Sequence, residues 1–213
     1  MNLILSRHGN TFDAHVPVVW AGSSNDLPLV EKGIAQAEKF AEALAAHKIK
    51  PVAIYCSPLQ RTRRYAEILI QKLALPFQPN VDPRINEIDY GQWTGLTQNQ
   101  VIARFGERAV KEWEENSHWP PAGQWGGSEA HVIQETQAFV NDLSKAHKND
   151  TVLVITSNGR LRYFLKEVSG EFEKRVSQHT FKMKTGNISK LIINETQRVL
   201  SYWNVEPTLD FKI

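Results

Sequence analysis

The chain has 213 residues, of which 41% are hydrophobic and 23% charged, a composition that supports one folded domain, 1–213, and excludes disorder. Its 25 basic and 23 acidic side chains leave a net charge of +2, too balanced for a nucleic-acid footprint, and no apolar run nears the ~20 residues that span a bilayer. Cys56 is the sole cysteine, so an intrachain disulfide and a multi-thiolate zinc site are excluded, and the opening Met1–His8 lacks the apolar core of a signal peptide, which makes a cytoplasmic protein the expectation.

Leu3-Ile4-Leu5 reads as a short buried strand, followed by Ser6-Arg7-His8-Gly9-Asn10-Thr11. Ile34, Ala37, Phe40/Ala41 and Leu44 then recur at helical spacing. Val52-Ala53-Ile54-Tyr55 is a second strand. Ser57-Pro58-Leu59-Gln60-Arg61 follows with helix-start grammar, Ser57 as N-cap and Pro58 at the first helical position. Thr62, Ala66, Leu69 and Leu73 continue that helix. Between 116 and 128 lie paired prolines, glycines and two tryptophans, an ordered excursion with two readings: a lid over a pocket, or a Trp-anchored structural loop. Val132, Thr136, Phe139/Val140 and Leu143 mark a further helix, and the β-branched run Thr151–Thr156 a core strand. After it comes Ser157-Asn158-Gly159-Arg160. Ile188–Ile193 and Val199–Val205 read as two last strands around a turn. Strands alternating with helices imply an α/β fold: a three-layer α/β/α sandwich around a mainly parallel sheet.

In such sheets ligands bind beyond the carboxyl ends of the strands. Arginines, amides and one histidine follow these three strands and converge if the strands are neighbours. Arg61, in the first turn of its helix, reads either as an anion ligand or as a solvated member of the Arg61/Arg63/Arg64 run. His8, flanked by Arg7 and Gly9, suits attack of a neutral imidazole on a phosphoryl group whose oxygens are held by guanidinium groups. None of the seven histidines forms a metal-ligand pair such as H-E-x-x-H, so no metal is expected. Cys56 has no histidine beside it in sequence and reads as a buried strand residue. The tryptophans lack an adjacent basic stripe, so core or lid packing is preferred over base stacking.

Arg7-His8-Gly9 at the end of the first strand resembles the phosphohistidine motif of the histidine phosphatase superfamily, the group that includes cofactor-dependent phosphoglycerate mutases. Asp26-Leu27-Pro28-Leu29 with Gly33 and Gln36-Ala37 is similar to the family's D-x-P-L-T-x-x-G-x-x-Q-A stretch, with Val30 in place of threonine. Ser57–Thr62 is similar to its second arginine motif, and Asn86-Glu87-Ile88-Asp89-Tyr90-Gly91-Gln92-Trp93-Thr94-Gly95 to its acidic motif. The resemblance implies a phosphoglycerate mutase-like fold with His8 as nucleophile, Arg7 and Arg61 as phosphoryl ligands and Glu87 as general acid. Asn10, Thr11 and Gly159 would line the pocket. It implies no cofactor, a small phosphorylated substrate or phosphate ion as ligand, and neither nucleic acid nor membrane as partner; it leaves the oligomeric state open.

Four departures stand out. The family's second catalytic histidine is Asn158 here, which can donate a hydrogen bond but cannot carry a charge; by analogy with a lost oxyanion donor this costs ~3–4 kcal/mol, on the order of a few hundred-fold in rate. Asparagine, usual in many relatives a few residues after the RHG glycine, is replaced by Ala14. The family's G-E-S reads Gly127-Ser128-Glu129. The acidic motif lacks the E-R-H-Y-G form of the mutases. Together with a length that looks short for a mutase, this favours a phosphomonoesterase, with an impaired phospho-ligand-binding module as the alternative.

Overall fold

In the computed structural model, which describes residues 1–211, a six-stranded sheet runs in the order β3-β2-β4-β1-β5-β6. The strands are β1 (Asn2–Arg7), β2 (Ala53–Cys56), β3 (Asn80–Val81), β4 (Thr151–Thr156), β5 (Ile188–Ile193) and β6 (Arg198–Val205). The first four are mutually parallel; β5 runs antiparallel to β1, and the edge strand β6 antiparallel to β5, and the two tail strands are those expected.

Alternation along the central strands assigns side chains to two apolar layers. Ile4, Ile54, Leu153 and Ile155 face α1 (Glu31–Ala46) and α2 (Gln60–Lys72) through Ala37, Phe40, Ala66 and Leu69. Leu3, Leu5, Val152 and Val154 face the other way, toward α5 (Glu129–Ala146) and a large aromatic cluster. A strand buried on both faces needs such a continuous apolar run, which is why Thr151–Thr156 was legible as core. The remaining helices, α3 (Gln98–Phe105), α4 (Glu107–Asn116), α6 (Asn158–Leu161) and α7 (Glu171–Ser177), were not anticipated. Thr97 and Gln100 close a reciprocal capping box at the start of α3, a pattern visible in the sequence.

The expected cap of α2 is different. The helix begins at Gln60, and Ser57 spends its hydroxyl on Thr62 Oγ1 at 2.7 Å. The Gln60 N–H donates instead to the Asp26 carboxylate at 2.8 Å, so a residue far away in sequence satisfies the helix start. Arg61 remains in the first turn.

The 116–128 segment underlies the site's aromatic wall. Trp125 packs edge-on to Tyr90, Trp93 and Trp113 with centroids 4.7–5.2 Å away, and the Trp119 indole N–H donates to the Tyr163 hydroxyl at 2.7 Å. Ser128 caps α5 by accepting from the His131 N–H.

Two glycines lock the loop after β1 against the start of α1. A Cβ on Gly9 would lie 2.3 Å from the Gly33 carbonyl oxygen, and one on Gly33 would lie 2.2 Å from that of Asn10. Because both obstacles are backbone, Gly33→Ala is expected to destabilise the fold by ~1–3 kcal/mol in urea unfolding.

Candidate active site

The register of the sheet brings the three predicted loops together. Arg7 of β1 lies beside Thr156 of β4, and Cys56 of β2 beside Ile155, so His8, Ser57 and Ser157 leave the same edge. Three of the chain-end hydrogen bonds continue this alignment: His8 N–H donates to Thr156 O, Ser57 N–H to Ile155 O, and Arg7 N–H to Asn187 O.

His8 is buried, and its ring geometry fixes its tautomer. Arg61 Nε can only donate, and it sits 3.2 Å from His8 Nε2, so that nitrogen carries a lone pair. The ring proton is therefore on Nδ1, 2.7 Å from the Gly9 carbonyl oxygen that accepts it. Burial first, then the Arg61 and Arg7 charges, hold His8 well below the ordinary imidazole range, against the opposing pull of the Gly9 hydrogen bond.

Arg61 is the buried member of its run; Arg63 and Arg64 are exposed. Its Nη groups donate to Asn25 O at 3.1 Å and Gly22 O at 2.8 Å, which aims the guanidinium at the histidine. Gly22 adopts φ +61°, a conformation that favours glycine, and so presents that carbonyl. Arg7 donates to Met183 O at 2.6 Å while its buried Nε meets no partner among the described residues. Desolvation lowers the affinity of both guanidiniums for their protons, with Glu87 the leading opposing charge.

Glu87 is buried and lines the same cavity. Its Oε1 accepts from the Ile88 and Arg160 N–H groups and its Oε2 from Gly159 N–H, at 2.8–3.2 Å. A Cβ on Gly159 would lie 2.4 Å from Glu87 Oε1 and 2.6 Å from the Tyr90 hydroxyl, so only glycine lets the chain approach this closely. Arg160 clamps the same corner. It donates to Asn86 O, to Val132 O and to the Glu135 carboxylate at 2.8–3.0 Å, so the strap carrying Glu87 is tied to α5.

Asn158 lines the cavity with its Oδ1 accepting from Met183 N–H at 2.8 Å. That bond sets the amide orientation and leaves the NH₂ as the group not engaged by Met183. Asn10 also lines the cavity; its N–H donates to Gln36 Oε1 at 2.8 Å and its side chain accepts from the Thr185 hydroxyl. Thr11 and Ala14 lie on the wall, and Gly159 sits behind Glu87.

The cavity measures about 840 Å³ and unites Arg7, His8, Asn10, Thr11, Arg61, Glu87 and Asn158. No residue of 116–128 lines it; Tyr90 and Trp113, against which Trp125 packs, do. Sequence reasoning missed the strap Lys182-Met183-Lys184-Thr185, a major wall. It precedes β5, an antiparallel strand whose entry end lies beside the exit end of β1, whereas the sequence was searched only after strands. Cys56 is fully buried and its thiol is pushed up to about 12 by desolvation, which removes it as a thiolate nucleophile. Among the described residues no group of three or more His, Cys, Asp or Glu is placed to hold a metal, and no helix is long and apolar enough to cross a membrane.

A family profile described as the histidine phosphatase superfamily (branch 1) matches residues 3–206. A 2,3-bisphosphoglycerate-dependent phosphoglycerate mutase of Methylobacterium sp. (strain 4-46) is 29% identical over 171 residues, covering 79% of this chain and 80% of the mutase. That mutase is thus about as long as this chain, and the expectation drawn from shortness is overturned. Phosphoserine phosphatase 1 of Hydrogenobacter thermophilus is 32% identical over 162 residues, covering 76% of this chain and 73% of the relative. Among solved structures, a mycobacterial glucosyl-3-phosphoglycerate phosphatase complexed with VO3 superposes with a TM-score of 0.78 at 25% identity, over 96% of this chain and 99% of that one.

Two outcomes follow from the buried charges. Arg160→Met strips the carbonyls of Asn86 and Val132 of a buried charged donor and leaves Glu135 with His131 alone, and is expected to cost ~3 kcal/mol in denaturant unfolding. The folded state holds His8 neutral while the unfolded chain protonates it near its ordinary value of about 6.5. The unfolded chain therefore binds more protons below that pH, and stability falls as pH drops through and below it. His8→Asn removes this contribution, so the variant is expected to lose less stability than wild type between pH 7.5 and 5, read from unfolding midpoints at each pH.

Proposed function

The chain belongs to the histidine phosphatase superfamily (branch 1), whose members matched here include phosphatases and mutases, and on that premise we propose that it is a metal-independent phosphomonoesterase working through a phosphohistidine on His8. The observation that carries this reading is the His8–Arg61 contact, which keeps Nε2 unprotonated at the cavity, its lone pair accepting from Arg61 Nε–H, beside two guanidiniums.

In the first step Nε2 attacks phosphorus and the bond from phosphorus to the alcohol oxygen breaks. Glu87, protonated for this step, gives its proton to the departing alkoxide through Oε2, the oxygen with only one backbone bond. Arg7, Arg61 and the Asn158 amide hold the equatorial oxygens. The entering phosphoryl group takes over the Arg61 Nε hydrogen bond, which frees the lone pair for attack. In the second step a water oxygen attacks phosphorus, one water proton passes to the Glu87 carboxylate, the phosphorus–Nε2 bond breaks with its electron pair returning to His8, and inorganic phosphate leaves. Every positive charge in this scheme comes from the protein, so no metal or cofactor enters it. The substrate is a small phosphorylated molecule, and a cytoplasmic setting is the matching one.

A phosphatase is preferred to a mutase on the acidic motif. Ile88 and Asp89 follow Glu87 where mutases carry Arg-His, and both are otherwise engaged: Ile88 is buried, and the Asp89 carboxylate accepts from Gly91 N–H. A mutase must keep a second anionic group of its substrate in place, and this segment offers it no cation. The alternative of a ligand-binding module rests on Asn158, which retains a donor but not a charge.

The test is hydrolysis of p-nitrophenyl phosphate in metal-free buffer. His8→Ala is expected to abolish turnover, and Asn158→His to raise kcat by ~10- to 300-fold. Vanadate binding without any His8-dependent turnover in either the wild type or Asn158→His would establish the binding module instead. Glu87→Gln is expected to cost ~100-fold or more with an alkyl phosphate and much less with p-nitrophenyl phosphate, whose leaving group needs no proton. Its acid limb in kcat/KM should lie below pH ~6.5, since His8 stays neutral there.

A further inference from the structure

The cavity is far larger than its phosphate floor. At about 840 Å³ it is of the size that encloses drug-sized ligands, whereas the floor described above occupies one end of it. Part of its lining is an apolar patch: Phe12, Val16, Val18, Val19 and Trp20, which come, with Asp13 beside them, from the single loop between β1 and α1. Val16 and Val18 are 51% and 67% exposed, two of the seven large hydrophobic side chains that face solvent among the described residues. Paired on one lip of one cavity, they form apolar surface that a ligand would cover.

This lip is built on a fixed base. Trp20 packs edge-on to Tyr90 at 5.3 Å and Trp93 at 5.0 Å, its N–H donates to Leu96 O, and its carbonyl accepts from Gly95 N–H. Val19 forms a β-bridge with Thr97. Elsewhere on the lining Lys182 is paired with Glu114 at 2.6 Å, and Asn204 Oδ1 accepts from the Lys184 backbone N–H. A three-carbon phosphate with charged or hydroxylated carbons has no apolar face to lay on Val16 and Val18.

Resting on the phosphatase reading, we infer that the substrate is a phosphate monoester whose alcohol carries an aromatic or alicyclic body of about nucleoside size, seated against Val16, Val18 and Trp20. The phosphoryl group enters the floor and the apolar body closes the lip. This assigns Val16 and Val18 as specificity-determining residues that touch the leaving group and take no part in the chemistry.

The test separates binding from turnover. Ethylphosphonate and 2-(2-naphthyl)ethylphosphonate share the same anionic head and are not hydrolysed. Titration calorimetry on the full chain, with and without saturating inorganic phosphate, is expected to give a Kd about tenfold or more lower for the naphthyl compound, competitive with phosphate. The Val16→Ser/Val18→Ser double variant changes only solvent-facing side chains. It should bring the two constants within about threefold, with ethylphosphonate binding unchanged. Equal constants in the wild type would overturn the inference. So would a naphthyl preference that survives the double substitution, the result expected if the two valines serve contact between copies of the chain. The matched substrates, ethyl and 2-(2-naphthyl)ethyl phosphate, have similar leaving groups and report on turnover. His8-dependent hydrolysis of both at equal kcat/KM would sink the substrate class and leave the phosphatase reading standing. Discrimination among phosphonates without any hydrolysis would do the reverse.

Discussion

The hydrogen bond from Arg61 Nε to His8 Nε2 is the constraint around which the molecule is arranged. A guanidinium aimed at an imidazole keeps that imidazole neutral, and it does so only if both are withdrawn from water. The two residues come from chain segments either side of β4 in the sheet, so their meeting requires the crossover of α1 and the insertion of β4 between β1 and β2. Arg61 is in turn aimed by Gly22 O and Asn25 O, and its helix start is capped by Asp26, so the loop preceding α1 helps to form the site as well as to cover it. Burying these cations costs free energy, and the protein offsets it with carbonyl oxygens and with the carboxylates of Glu87, Asp26 and Glu114. The uncompensated remainder is a site that gains by accepting a dianion. Phosphate that binds only the folded chain must stabilise it.

Asn158 acquires a definite meaning in this setting. Its carbonyl side is fixed to Met183 N–H, and Arg7 holds the carbonyl of the same residue. The peptide around Met183 is thus pinned from both sides, and Asn158 is part of the wall's construction as well as of the phosphate floor. A hydrogen-bond donor survives the exchange of histidine for asparagine; a charge does not. Ground-state binding of phosphate, which depends mainly on two guanidiniums, should suffer less than passage through a transition state whose negative charge is spread over the transferring oxygens. Arg162 does not replace the missing cation directly: it is buried between Trp113, 3.5 Å from its ring centroid, and Phe181, and its Nη1 donates to the Trp113 carbonyl and the Ser117 hydroxyl. It supplies charge behind the aromatic wall without touching the cavity.

What could be read from the sequence follows a physical division. Parallel strands buried on both faces announce themselves as apolar runs, and the residues at and after their ends sit at one edge, so the cavity positions of Arg7, His8, Arg61 and Asn158 were accessible to reasoning, whereas Gly159, expected on the lining, lies behind Glu87. Glu87 was accessible only through the family motif, because it comes from an irregular strap that no periodicity marks. The Lys182–Thr185 wall was missed because an antiparallel strand offers its entry, not its exit, to that edge. The cap of α2 was misplaced because Asp26 reaches it across space, and local grammar favours the nearer Ser57. Trp119 and Trp125 pointed to an ordered excursion, but whether it lay over the pocket or beneath its wall depended on contacts with Tyr90, Trp93 and Tyr163 that spacing does not encode.

The same division separates what this scaffold must keep from what it can change. The floor is set by backbone: strand register, the Gly9–Gly33 contact, the N–H groups gripping Glu87, and carbonyls aiming Arg61. Substituting a side chain nearby leaves those constraints largely in place. The lip is set by side chains on one long loop, each replaceable without disturbing the sheet. A fold built in this way can hold the floor constant while the lip varies, because backbone groups set the one and exchangeable side chains the other, even though a single loop carries both the lip and the carbonyls that aim Arg61. In this chain the loop has placed valines and tryptophan where a polar substrate would want hydrogen bonds. In the proposed reaction the floor meets the phosphoryl group and the lip meets the alcohol attached to it.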